Sequence, residues 1–125
     1  MPITKTARLK KASSAVQVAA CPVEMAINII GGKWKLLVLR SLILNGPQGY
    51  NQLLLSVAGI SAKELTRNLG ALAGSGLVVR STGATARDAR YHLTETGKGL
   101  MPTFESLLVW GQSLLTSEST NISVR

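Results

Sequence analysis

The sequence predicts a mainly α-helical chain with one small β-hairpin, arranged as a winged helix-turn-helix. Three observations carry that expectation. Ser61-Ala62-Lys63-Glu64 opens a helix on which Leu65, Leu69 and Leu72 recur at helical spacing. A tight turn, Ala58-Gly59-Ile60, separates that helix from a shorter one upstream. Just after Gly76 the hydrophobic period changes, and Leu77–Arg80 and Arg90–Leu93 read as two short strands.

The elements follow in chain order. Residues 1–20 mix Lys, Arg, Thr, Ser and Ala with little periodicity and read as a flexible basic arm. Residues 21–117 read as the folded domain, and 118–125 as a tail. Cys21-Pro22 opens the first helix, because proline at the first helical position loses no hydrogen bond. Met25, Ile29 and Ile30 give it an apolar face, and Gly31-Gly32 end it. Lys33 to Leu44 is a second helix, with Trp34, Leu37, Val38, Ser41 and Leu42 on one side and Asn45-Gly46-Pro47 as its stop. Tyr50 to Val57 is a short helix with Leu53 and Leu54 facing inward. In the next helix Ser61 caps the Glu64 N–H and Glu64 reaches back, a reciprocal box. Gly76 closes that helix as a C-terminal cap. The loop Ser81–Ala89 joins the two strands, and Thr94 caps a last long helix. Pro102 sits inside that last stretch, so the helix starts late or bends there.

Composition narrows the function. The chain has 125 residues and a formal net charge of +8, which suits one domain with an affinity for polyanions. Residues 1–40 hold seven basic side chains against the single acid Glu24, and residues 61–98 hold six against three. The end of the chain is nearly neutral and apolar, with Leu100, Phe104, Leu107, Leu108, Trp110, Leu114 and Leu115. A basic half and an apolar end together suggest polyanion binding plus self-association. One Cys and one His exclude an internal disulfide and a tetrahedral zinc site within one chain. No apolar run is long enough to span a membrane, and the basic N-terminus lacks the apolar segment of a secretory signal. Cytoplasmic residence is the expectation. No metal or other cofactor is implied, and His92 and Asp88 form no catalytic set. The chain is therefore not read as an enzyme.

Helical geometry selects the candidate DNA contacts. With Leu65, Leu69 and Leu72 turned inward, the opposite side of the helix carries Lys63, Thr66, Arg67 and Gly70. In a helix-turn-helix this second helix lies in the major groove of double-stranded DNA. Lys63 and Arg67 reach phosphates or guanine edges, Thr66 a base or a thymine methyl, and Ser61 stands at the helix start. Arg87 in the hairpin loop and Arg90 just after it suit phosphate or minor-groove contact. Lys35 on the second helix is one more basic candidate. Arg80 on the first strand is expected to pair with an acid, and His92 to be a half-buried structural residue.

Six motifs then occur in order: Cys21-Pro22, Gly31-Gly32-Lys33-Trp34, Gly59-Ile60-Ser61-x-Lys63-x-Leu65-Thr66, Gly76-Leu77-Val78-x-Arg80, Tyr91-x-Leu93-Thr94-x-x-Gly97 and Trp110-Gly111. In this the chain resembles the HxlR-type family of transcriptional regulators, which are similar in fold to MarR proteins. The resemblance implies a homodimer whose N- and C-terminal helices form the interface. It also departs from the family pattern. Gly49-Tyr50 stands where Arg-Phe is usual, and Ala84-Thr85-Ala86-Arg87-Asp88 where the wing often has Pro-Pro. The resemblance therefore supplies no phosphate contact near residue 49.

Cys21 occupies the family's cysteine position, which in several members senses oxidants or electrophiles. At the start of a helix the positive end of the dipole favours the reactive thiolate. With one Cys per subunit, a disulfide forms between subunits or with a small thiol. The expected function is a dimeric, sequence-specific DNA-binding regulator, a repressor, tuned through Cys21. The alternative is a non-specific, chromatin-type nucleic-acid binder dominated by Lys5, Arg8, Lys10 and Lys11.

Overall fold

The computed structural model describes residues 21–120, and the basic arm 1–20 lies outside them. The chain divides into two units, one ending at Gly31 and one beginning at Gly32. In the first, α1 (Pro22–Ile30) starts from Cys21 in extended backbone, with Pro22 at its first position. The Gly31 N–H closes it by donating to the Ile27 carbonyl at 2.7 Å. Its apolar side chains Val23, Met25, Ile27 and Ile29 are exposed.

The second unit is built on α2 (Lys33–Asn45), which packs against α3 (Tyr50–Ser56), α4 (Ala62–Gly74) and the strand β2 (Arg90–Leu93). Contact on several sides explains why α2 buries Leu39, which lies outside the stripe its periodicity predicts. Val38, Leu39, Ser41 and Leu42 are all buried, whereas Trp34 and Leu37 are only half-buried. Leu53, Val57, Ile60, Leu65, Leu69, Leu72, Leu77 and Val78 complete an aliphatic core. Burying such side chains contributes about 1.5–3 kcal/mol each before the entropy of ordering them is subtracted. On α3, Leu53 is buried but Leu54 only half-buried.

A polar knot lies inside this core. Gln48 is 5% exposed. Its Nε2 donates to the Ser41 carbonyl at 3.1 Å and to Ser41 Oγ at 3.0 Å. The Ser56 hydroxyl donates to Gln48 Oε1 at 2.9 Å, and the two serine oxygens lie 2.7 Å apart. One consistent set of protons closes a ring of three bonds: Gln48 to Ser41, Ser41 to Ser56, Ser56 to Gln48. The Gln48 backbone also pairs with Tyr91 in both directions, at 3.2 and 2.7 Å. One residue thus ties α2, α3 and β2 together, and its buried polar atoms are satisfied.

The turn between α3 and α4 runs through Gly59 at φ +86°, a left-handed conformation that favours glycine. Ser61 caps α4 by accepting the Glu64 N–H at 3.1 Å. The expected return half of the box does not form, because the Glu64 carboxylate pairs with Arg67 instead. At the far end, Gly76 takes φ +77°, with Leu77 N–H bonded to the Leu72 carbonyl and Gly76 N–H to the Ala73 carbonyl, both at 3.0 Å. These are the paired bonds of a Schellman cap.

Strand β1 (Val78–Ser81) begins one residue later than predicted, since Leu77 is spent on that cap. It pairs antiparallel with β2 in the register Val78 opposite Leu93 and Ser81 opposite Arg90. The loop between them contains a short 3₁₀ turn, Ala86–Asp88, closed by Asp88 Oδ2 accepting from the Thr85 N–H at 3.1 Å. The final helical stretch is split, as Pro102 predicts. The short α5 (Glu95–Lys98) is capped by Thr94, and α6 (Met101–Thr120) carries Pro102 in its first turn. Helix α6 runs three residues past the expected boundary at 117. Its Leu107, Leu108, Val109, Trp110, Leu114 and Leu115 side chains are exposed. Among the described residues no helix is long and apolar enough to cross a membrane. The architecture is a winged helix-turn-helix.

Candidate nucleic-acid interface

Two neighbouring surfaces of the second unit hold the candidate contacts. The first is the outer face of α4. Ser61, Lys63, Thr66, Arg67 and Gly70 are exposed, while Leu65, Asn68, Leu69 and Leu72 are buried. Asn68 is spent internally, donating to the Glu64 carbonyl at 2.7 Å. The Arg67 guanidinium pairs with Glu64 three residues earlier, yet its side chain remains 66% exposed. An exposed pair of this kind adds little stability, about 0.3–0.5 kcal/mol, but it restricts where the guanidinium points. Thr66 is not isolated either, because its hydroxyl lies 2.8 Å from the Tyr50 hydroxyl.

The second surface is an open cleft of about 640 Å³ between the start of α3 and the hairpin. Gly49, Tyr50 and Gln52 line one side, and Arg80, Arg87 and Arg90 the other. Arg80 was expected to pair with an acid. Among the described residues no carboxylate lies within ion-pair distance of it, and it faces the cleft with the two loop arginines. Tyr91 opposite it on β2 and the acid-free start of α3 account for that. Arg90 is held by its own turn, Nη1 donating to the carbonyls of Arg87 and Ala89 at 3.0 Å each. The same Nη1 would stand 3.4 Å from a Cβ at position 49. A cation from β2 therefore occupies the neighbourhood that Gly49 itself leaves uncharged. The Gly49 N–H is taken by Gln52 Oε1 at 2.8 Å.

The remaining candidates fall outside both surfaces. Lys35 is half-buried on the first turn of α2 and does not line the cleft. His92 is half-buried and bonded through Nε2 to the Ser81 hydroxyl at 2.8 Å, a structural role as expected. Cys21 is exposed and free at the head of α1, in the other unit. Among the described residues no group of three or more His, Cys, Asp or Glu is placed to hold a metal ion. Sequence reasoning missed Tyr50 and Arg80 as members of the site. The only signal for Tyr50 was its departure from the usual phenylalanine, and for Arg80 its place opposite Tyr91 on the hairpin.

The chain matches the family model for HxlR-like helix-turn-helix proteins over residues 29–119. It is 39% identical over 93 residues to an HTH-type transcriptional regulator of Methanothermobacter thermautotrophicus, covering 74% of this chain and 70% of that one. The solved structure of the redox regulator HypR in its oxidized form is similar with a TM-score of 0.67 and 33% identity, over 74% of this chain and 96% of that one. The reduced form of the transcriptional regulator YodB from B. subtilis is similar with a TM-score of 0.64 and 28% identity, over 73% and 90%.

Proposed function

Because the chain belongs to the HxlR-like helix-turn-helix family of transcriptional regulators, we propose that it acts as a dimer that binds double-stranded DNA sequence-specifically and represses. The observation that carries this is the exposed face of α4, with Lys63, Thr66, Arg67 and Gly70 between a tight turn and a wing bearing three arginines. In this reading Lys63, Thr66 and Arg67 meet base edges in the major groove, and Ser61 lies at the backbone where the helix enters. Arg80, Arg87 and Arg90 hold phosphates, which fix register and supply most of the salt-dependent affinity. Lys35 is a weaker contributor to the basic field. A dimer seated on two successive major grooves excludes other proteins from that stretch, which is the simplest route to repression. Chromosomal DNA as the proposed ligand supports a cytoplasmic location.

Dimerisation through α6 and α1 is supported by the apolar side chains both leave exposed, Trp110 at 62% and Leu108 at 60% among them. Apolar surface of this extent on a helix marks an association face. Sensing at Cys21 is supported by its exposure and by the likeness to the redox regulator HypR. An oxidant such as diamide would take two electrons from two thiols, one per subunit, leaving one disulfide.

Fluorescence anisotropy tests the reading, using a duplex from upstream of the protein's own gene and a scrambled duplex, with and without diamide. The expected result is preference for the first duplex, altered by diamide in the parent and unaltered in Cys21→Ser. Equal affinity for both duplexes, collapsing with salt, would mean a non-specific basic binder.

A further inference from the structure

We propose that Tyr50 is a specificity-determining residue, which fixes the hydrogen-bonding polarity of Thr66 and so the kind of base edge that Thr66 reads. This rests on the DNA-binding reading of α4. The Tyr50 hydroxyl lies 2.9 Å from the Ala62 carbonyl oxygen and 2.8 Å from Thr66 Oγ1. A carbonyl only accepts, and a phenol has one proton to give. That proton goes to Ala62. The Tyr50 oxygen then accepts, so Thr66 must spend its own single proton on Tyr50.

What Thr66 has left is lone pairs. Its hydroxyl faces a groove as an acceptor only. In the major groove the groups that donate are the adenine N6 and cytosine N4 amines, while guanine O6 and N7 and thymine O4 accept. Thr66 therefore contacts an amine-bearing base and is mismatched with an acceptor edge.

Ala62 is four residues before Thr66, so its carbonyl is the one to which a helical threonine ordinarily bonds its own hydroxyl. Here the Tyr50 hydroxyl takes that carbonyl instead, and the Thr66 hydroxyl bonds Tyr50. Phenylalanine at 50 would keep the ring and release the hydroxyl. Thr66 would then either fold back on Ala62 or turn its proton toward a base acceptor, and its fixed polarity would be lost. The sequence places the two residues sixteen positions apart, on different helices.

The test is enrichment of duplexes from a random pool by the full chain, for the parent, Tyr50→Phe, Thr66→Val and Thr66→Ser. The parent is expected to select an adenine or cytosine at one position of each half-site. Removing that base's amine (purine for adenine, 2-pyrimidinone for cytosine) is expected to weaken the parent about three- to tenfold, one neutral hydrogen bond. Tyr50→Phe and Thr66→Val should lose the preference at that position alone, and Thr66→Ser should keep it. The proposal is overturned if Tyr50→Phe enriches the parent's preference unchanged, or if it loosens all positions evenly, which is what a purely structural role would do. If the parent enriches no sequence at all, the DNA reading itself fails and takes this inference with it.

Discussion

The Thr94 hydroxyl donates to the Gly76 carbonyl at 2.6 Å and accepts the Gly97 N–H at 3.0 Å. One side chain thus joins the end of α4 to the start of α5, while its backbone N–H bonds the Leu77 carbonyl at 3.0 Å. The return path of the wing is fastened to the end of α4 at this point. Thr94→Ala removes a helix cap and leaves a carbonyl short of a partner, so it should cost about 1–2 kcal/mol. Thr94→Ser keeps the hydroxyl and should cost less than half as much. Urea unfolding of the two variants measures this, and equal stability of Thr94→Ala and the parent would contradict it.

Gly70 separates stability from binding. A Cβ there meets open space, and the residue sits in the exposed interior of α4. Gly70→Ala should therefore stabilise the fold by about 0.5–1 kcal/mol, the difference in helix propensity. Gly70→Glu should fold as well as the parent but bind DNA at least tenfold more weakly, because it brings a carboxylate to a phosphate-lined groove. Thermal melts and anisotropy on the same preparations test both halves. Unimpaired binding by Gly70→Glu would place α4 away from DNA.

Arg87 is exposed on the wing and lines the cleft with Arg80 and Arg90. If it holds a phosphate, Arg87→Ala should weaken specific and scrambled duplexes alike. It should also reduce the slope of log affinity against log salt by about one. A loss confined to one sequence would make Arg87 a base reader instead.

Trp110 and Leu108 are solvent-exposed on α6, so charging them should leave the fold of a single subunit intact. The double variant Leu108→Glu, Trp110→Glu should sediment as a monomer with unchanged helix content. It should lose most of its affinity for a two-half-site duplex, since the two proposed copies of α4 would no longer be tethered. A double variant that remains dimeric would move the association surface elsewhere.

The helices, the turn, the Schellman cap and the hairpin were readable because each is written in contiguous residues. Gly59, Ser61, Gly76 and Thr94 act within a few positions of themselves. What could not be read depends on neighbours far along the chain. Leu39 is buried because α4, α3 and β2 pack around α2, and Gln48 because Ser41, Ser56 and Tyr91 converge on it. Glu64 had two partners within reach, its own helix start and Arg67, and local spacing alone did not decide between a backbone N–H and a guanidinium. The exposed side of α4 followed from periodicity, whereas the link from Tyr50 to Thr66 and the turn of Arg80 toward the cleft needed the packed structure.

In the proposed dimer, two copies of α4 and its wing read two turns of a duplex. Hydroxyl-radical footprinting of the parent on an enriched duplex tests it most directly. Two protected half-sites, with centres about 10–10.5 base pairs or a multiple apart, are the predicted result. Uniform protection along the whole duplex, lost evenly as salt rises, would contradict it.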